Sequence, residues 1–394
     1  MLKFIHPTRP VAFLIAATIS LGSTAFGLYS CKNELFPPGG HPLPGGGLTP
    51  ITHGQQVTAA NVGRAGAAGA GIPNFSGTLK IVSGDQHYST TQTLRNKQFT
   101  GKVLVTGGTV TFEFCSFTYA PPEASAQLQQ YNGGAATGIV ICNWCDFDPG
   151  LRGPQGNFET CNAQFGERGS ANPLTSGASF TLYRCRLQGC GNNIGIHQYR
   201  SSGSSVTECL ISSPTGGNGT HPDGMEIYSS DNITVQRSRL EIATTTDQSC
   251  VNITTDFGTC TTGNPVIIQN NYINGGTSPV LTRWFNQGGG NTGAYIKNVR
   301  YTGNYFGDSS KWGRECDFNS MDVTYSKSYA LANPTVIYWD STNVWAPNGE
   351  FVSSPPFAPS GDVPAGLPHT LGSFVDARNF YGGEVWRWSG HVLP

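Results

Sequence analysis

Past about residue 75 the chain falls into a repeating pattern. Short runs of apolar and β-branched residues end in small polar residues, and Gly/Asn turns follow. One submotif recurs: a small residue, a variable residue, then an apolar one. It reads Cys115-Ser116-Phe117, Cys145-Asp146-Phe147, Cys185-Arg186-Leu187 and Cys209-Leu210-Ile211. It continues as Ser238-Arg239-Leu240, Asn271-Tyr272-Ile273, Asn304-Tyr305-Phe306 and Thr342-Asn343-Val344. The steps between first members are 30, 40, 24, 29, 33, 33 and 38 residues. Repeats of this length signal a solenoid or a propeller. A propeller blade needs four strands in about 40 residues, and the shortest step here is 24. The pattern therefore predicts an all-β solenoid, a parallel β-helix whose longer coils carry loops on one face.

Coils of such a helix stack roughly 4.8 Å apart, so equivalent inward residues lie over one another. Cys115, Cys145, Cys185 and Cys209 are expected to form a buried, reduced and inert ladder. Ser238, Asn271, Asn304 and Thr342 are expected to continue it as a polar ladder at corners. Open ends expose strand edges and need covering. Ala59–Thr93 is expected to cover the first coil. Beyond Pro355–Pro368, the segment with Phe380, Tyr381, Trp386 and Trp388 is expected to fold back as a cap rather than to stack on sugars.

The N-terminus divides differently. Lys3 and Arg9 precede Val11–Leu28, 18 residues without a charge. A basic start, an apolar run and the small residues Ser23-Thr24-Ala25 predict an export signal over 1–30. A membrane or lipoprotein anchor ending at Cys31 is the alternative. Residues 31–58 are Gly/Pro-rich and predict a spacer. The β-helix is then expected over 59–345, with a Pro-rich tail or cap over 346–394. The expected location is secreted, cell-surface or periplasmic, with membrane contact only through the N-terminal segment.

Composition narrows the picture. Charged residues are 12% of the 394, about half the usual share, and Gly is 52. Aromatics at 11% argue against disorder. A net charge of −1 leaves no electrostatic footprint for nucleic acid. Eleven cysteines in an exported chain suggest disulfides, and Cys250/Cys260, flanking a short loop, are the first candidates. Cys142-Asn143-Trp144-Cys145 has the spacing of a metal or redox motif. On a strand, however, i and i+3 face opposite ways, so it reads as structural.

With so few charges, a cluster of titratable groups is informative. In Asp223-Gly224-Met225-Glu226-Ile227-Tyr228, inward Met225 and Ile227 leave Glu226 and Tyr228 outward. The preceding coil, Ile194-Gly195-Ile196-His197-Gln198-Tyr199, offers His197 and Tyr199. The following coil, Val251–Asp256, offers Asn252, with Asp247 and Asp256 at its ends and Arg283 one coil on. Stacking predicts that these residues share one face with His221, walled by longer loops at 146–177, 212–222 and 285–295. Asp223, Glu226, His221, His197 and Asp247 are the candidate catalytic groups. Tyr199, Tyr228, Asn252, Asp256 and Arg283 are the candidate substrate-binding groups. Two carboxylates suit glycoside hydrolysis. A base beside an Arg that neutralises a uronate suits a lyase. No metal cluster or cofactor is expected, although Asp223, Glu226 and Asp256 would suit Ca²⁺ if they converged.

Over roughly 60–345 the chain resembles the secreted, pectate-lyase-like right-handed β-helix proteins of bacteria and their phages. The matching segments are Asn61–Gly66, His221–Gly224, Asp256-Phe257-Gly258, Asn270–Gly276 and Asn304–Gly307. His221–Glu226 and Thr246–Cys250 are also similar to motifs of the polygalacturonases, family 28 glycoside hydrolases. That likeness would make Asp223 and Asp247 catalytic. The resemblances imply a right-handed parallel β-helix with N- and C-terminal caps, cleaving a polysaccharide as lyase or hydrolase. The alternative is a glycan-binding adhesin or an envelope structural protein built on the same solenoid.

Overall fold

The computed structural model describes residues 48, 50–122, 125–130, 138–150, 160–166, 177–197, 199–212, 222–242, 249–254, 264–276, 279–283, 297–307, 309, 315–319, 336–339, 342–345, 374–376 and 386–389. The fold is a parallel β-helix, as the repeat predicts. Each coil supplies one parallel strand to each of three sheets, and consecutive parallel strands of a sheet come from successive coils. Each sheet has ten strands, the tenth of the second and third being an antiparallel strand at the C-terminal end. In chain order, the first sheet begins with Lys80–Val82, the second with Gln86–Tyr88 and the third with Gln92–Arg95. Register is conserved from coil to coil. Ile194, Met225, Val251 and Val280 align, as do Ile196, Ile227, Ile253 and Thr282. Alternate residues therefore stack inward into one continuous core, from Phe99 to Phe306.

The corner between the third and first sheets sets the repeat. Before each ladder residue sits one in the left-handed region: Asn96, Phe114, Trp144, Arg184, Glu208, Arg237, Asn270 and Gly303, with φ between 49° and 62°. Such a conformation costs a non-Gly residue on the order of 1 kcal/mol or more. It is held by bonds to the next coil, such as Phe114 N–H to Asn143 O at 3.0 Å and Trp144 N–H to Tyr183 O at 2.9 Å. The next residue turns inward. Cys145 donates its thiol to Phe112 O, Cys185 to Cys142 O and Cys209 to Leu182 O, at 3.3–3.4 Å. Asn271 and Asn304 each receive the backbone N–H of the ladder residue one coil earlier. They donate Nδ2 to Val235 O and Ile268 O.

Several expectations need correction. The last rung is Asn343, not Thr342: Asn343 Oδ1 takes Asn304 N–H at 3.0 Å. Thr342 sits at the exposed turn position, accepting Gly303 N–H at 2.8 Å. Cys250 is buried and forms no disulfide, so the Cys250/Cys260 pairing is not formed. Burial pushes the Cys190 and Cys250 thiols above their ordinary range. Cys142 and Cys145 both pack in the core, so they do not face opposite ways as strand alternation predicts: the left-handed turn at Trp144 between them brings Cys145 inward as well.

The β-helix begins at Lys80 rather than at 59, and residues 80–95 are the first coil itself. The segment before it is a strap along the outside of the third-to-first corner. His53 bonds Gly303 O at 2.9 Å and packs against the Tyr305 ring, centroids 3.8 Å apart at a tilt of 32°. Gly63 N–H reaches Arg184 O at 2.7 Å. Arg64 bonds Phe114 O and covers the Phe75 ring. Gly63 has φ 59°, and a Cβ there would collide with the Asp146 carboxylate, so the strap needs glycine at this point. At the other end the chain does fold back. Phe374–Asp376 pairs antiparallel with Val336–Trp339, and Trp386–Ser389 with Glu315–Asn319. The export or anchor segment and most of the Gly/Pro-rich spacer lie outside the described residues. Among those described, no helix is long and apolar enough to cross a membrane.

Candidate functional site

Loop lengths single out the second sheet. Third-to-first connections are one or two residues on every coil from 96 to 303–304. By contrast, the chain spends 148–160, 213–224 and 243–250 entering the second sheet. It spends 131–138, 167–178, 255–265 and 284–296 leaving it. The two shortest exits, 198–199 and 229–230, follow the strands that end at His197 and Tyr228.

The outward positions of the second sheet also differ in burial. In the third sheet, outward residues such as Thr181 and Thr234 are half-buried, giving alternating patterns. In the second, Ala126–Gln130, Cys161–Gly166, Asn192–His197, Met225–Tyr228 and Val251–Thr254 are buried throughout. Their outward residues are polar, so hydrogen bonds must replace lost water.

At the centre stands Glu226. His197 Nε2 lies 3.0 Å from Oε2, and Tyr228 donates its phenol to Oε1 at 2.9 Å. His197, Glu226 and Tyr228 are each 5% exposed or less. A carboxylate oxygen only accepts, so a neutral imidazole here carries its proton on Nε2. That leaves Nδ1 as a lone-pair nitrogen, buried and without a partner. The arrangement is a base oriented by a carboxylate. Gly195, one coil before Glu226, makes room for it. A Cβ there would stand 3.3 Å from His197 Nε2 and 3.0 Å from Cys161 Sγ.

Asp223 is placed otherwise. Its Oδ1 accepts Ser249 N–H and its Oδ2 accepts Asn252 Nδ2, both at 2.9 Å. Its own N–H reaches Asn192 Oδ1 at 2.9 Å. Held by a backbone amide and a side-chain amide, Asp223 ties coils together and fixes Asn252. Asn252 Nδ2 also reaches Tyr228 Oη at 3.4 Å, so it bridges to the Glu226 cluster.

The outward reading of Tyr199 is corrected. The strand ends at His197, and the next turn swings Tyr199 into the core against Phe180. Its phenol donates to Gln130 Oε1 at 2.8 Å, and its N–H to Ser230 Oγ at 2.9 Å. Arg283 ends a strand in register with Thr254, and its side chain is outside the described residues. His221, Asp247 and Asp256 also fall outside them. The carboxylates of Asp223 and Glu226 face different partners, and no group of three metal-ligating residues is gathered among the described residues. Stacking thus unites His197, Glu226, Tyr228, Asp223 and Asn252.

No family model, curated protein or solved structure matches the chain. The function must therefore be argued from the site. The residue reading missed Gly195, Ser249, Gln127 and Asn162. The last two were legible as alternation, in Ala126-Gln127-Leu128-Gln129 and Asn162-Ala163-Gln164-Phe165.

Proposed function

We propose that the protein is an exported, carbohydrate-active enzyme that cleaves a polysaccharide at the outward face of its second sheet. Lyase chemistry is the reading the geometry favours, in keeping with the resemblance to pectate-lyase-like proteins. The observation that carries it is His197, whose Nε2 is held by Glu226 while Nδ1 keeps a lone pair. Such a nitrogen can take the proton from the carbon beside a uronate carboxylate. The electrons form a carbon–carbon double bond as the bond to the leaving sugar oxygen breaks. That oxygen takes a proton from the Tyr228 phenol, which the His197 proton replenishes through Glu226. Arg283, along the same sheet, is the candidate to neutralise the uronate.

Hydrolysis by paired carboxylates fits less well. It needs two carboxyl groups free to act at one sugar. Asp223 is committed to Ser249 and Asn252, and Glu226 is committed to His197 and Tyr228. Incubation with acidic and neutral glycans tests the reading. Unsaturated product, seen as new ultraviolet absorbance, is the expected result, lost in His197→Ala. New reducing ends without unsaturation would replace lyase by hydrolase. Binding without turnover on every glycan would leave a glycan-binding module.

A further inference from the structure

Four buried atoms on the outward side of the second sheet lack a partner, and all four are acceptors. Gln127 and Asn162 occupy equivalent positions on adjacent coils, since Ala126 pairs with Cys161 and Leu128 with Ala163. Gln127 turns its amide nitrogen to Phe117 O at 3.1 Å and Tyr119 O at 2.6 Å. Asn162 turns its nitrogen to Gln188 O at 3.1 Å and Asn193 Oδ1 at 2.6 Å. Carbonyl oxygens cannot donate, so nitrogen must face them and oxygen must face away. Gln127 Oε1 and Asn162 Oδ1 are then left over, buried and unpaired. Asn252 repeats the arrangement, its nitrogen fixed by the Asp223 carboxylate and its Oδ1 unpaired. His197 Nδ1 is the fourth. Asn193 does not join them, because its oxygen serves Asn162 and its nitrogen serves Ser212 O at 3.3 Å.

A buried acceptor without a donor costs on the order of 1–3 kcal/mol. Repetition of that cost along one face points to a ligand that supplies donors. Charge narrows its chemistry. The polar positions of strands Ala126–Gln130 and Cys161–Gly166 are filled by Gln127, Gln129, Asn162 and Gln164, with no charged residue. A carboxylate, sulfate or phosphate would meet carbonyl oxygens there with nothing to offset its charge. A neutral sugar would donate hydroxyl hydrogens to the same oxygens. Gln127 and Asn162 lie one strand spacing apart, ~4.8 Å, so a chain laid along the axis meets one acceptor on each of these two coils.

We infer that this amide row is a subsite for neutral, hydroxyl-donating sugar units beside the cleaved linkage, with Asn252 holding a further hydroxyl at the acid–base centre. The inference rests on the polysaccharide-cleaving reading and narrows its substrate class. The substrate is a mixed polymer, with a uronate at the scissile bond and neutral sugars over Gln127 and Asn162, rather than a homopolymer of uronates.

The test gives the full-length chain two polymers, a homopolyuronate and one alternating uronate with neutral hexoses. A neutral oligosaccharide serves as competitor. The mixed polymer is expected to show at least tenfold higher kcat/KM, and the oligosaccharide to inhibit competitively. Gln127→Met and Asn162→Ala should each raise KM about tenfold with little change in kcat, the loss of one hydrogen bond. Melting curves establish that each variant folds, and Gln127→Met keeps the side-chain length should Asn162→Ala fail. Equal or better cleavage of the homopolyuronate overturns the subsite and leaves polysaccharide cleavage standing. Binding of the oligosaccharide without cleavage of any polymer, weakened by Gln127→Met, upholds the subsite and overturns the enzyme. Failure of the oligosaccharide to bind overturns the subsite. So does a crystal structure of the complex with ordered water alone on Gln127 Oε1, Asn162 Oδ1 and Asn252 Oδ1.

Discussion

Two buried polar rows run along this β-helix, and they differ in one respect. At the third-to-first corner, Ser238, Asn271, Asn304 and Asn343 each find partners one coil away, and none leaves a nitrogen or oxygen unpaired. On the outward face of the second sheet, Gln127, Asn162, His197 and Asn252 each leave one unpaired. Both rows lie out of water. A row that closes on itself stabilises the fold, whereas a row that stays open has binding capacity in reserve. Connection lengths agree, with one or two residues at the closed corner and several longer connections into and out of the second sheet.

The sharpest way to break the contrast is to cut each row at its centre. His197→Ala on the open row should lower kcat by about 10²–10⁴, the range for removing a general base, and cost stability no more than about 1–3 kcal/mol for the hydrogen bond that buried Glu226 Oε2 loses. A large loss of stability instead would make His197 a structural residue. Asn271→Ala on the closed row should do the reverse. It strips partners from Ser238 N–H, Val235 O and Asn304, and should cost about 2–4 kcal/mol in denaturant unfolding.

Acid separates the two regions as well. Burial against Tyr305 lowers the His53 pKa to about 4, from an ordinary 6.5. The folded state then resists a proton that the unfolded chain accepts. Stability is full above about pH 6.5, falls as pH drops towards 4, and levels off below that. The total loss is at most about 3 kcal/mol. Unfolding free energies of wild type and His53→Gln across this window check the slope, which the variant should flatten. Hydrogen exchange should show residues 51–57 loosening before the strands of the second sheet. The smallest effect is expected from Gly195→Ala. Its Cβ would press on His197 and Cys161, and should lower kcat several-fold while shifting stability by less than about 1 kcal/mol.

The period of the chain carried much of this in plain view. Cys115, Cys145, Cys185 and Cys209 stack because the chain returns to the same corner each coil, and the spacing of the small residues reports that return. Alternation in Met225–Tyr228 was enough to send Glu226 and Tyr228 outward. It failed at Tyr199, because alternation holds only while the strand lasts, and a two-residue exit turned the side chain inward. It also slipped by one residue at Thr342 and Asn343. Either could fill the rung, and only the bond from Asn304 N–H distinguishes them.

The sequence by itself therefore determined the coil, its core and the outward placement of His197 and Glu226, all of which follow from local periodicity. Tertiary structure alone decided which carboxylate remains beside the base and where the strap lies. Asp223 and Glu226 are three residues apart and look alike in sequence. Asp223 is clamped by Ser249 and Asn252 from the next coil, and Glu226 meets His197 from the coil before. Contacts made across coils, by residues some 26–29 positions away, leave no trace in the local pattern.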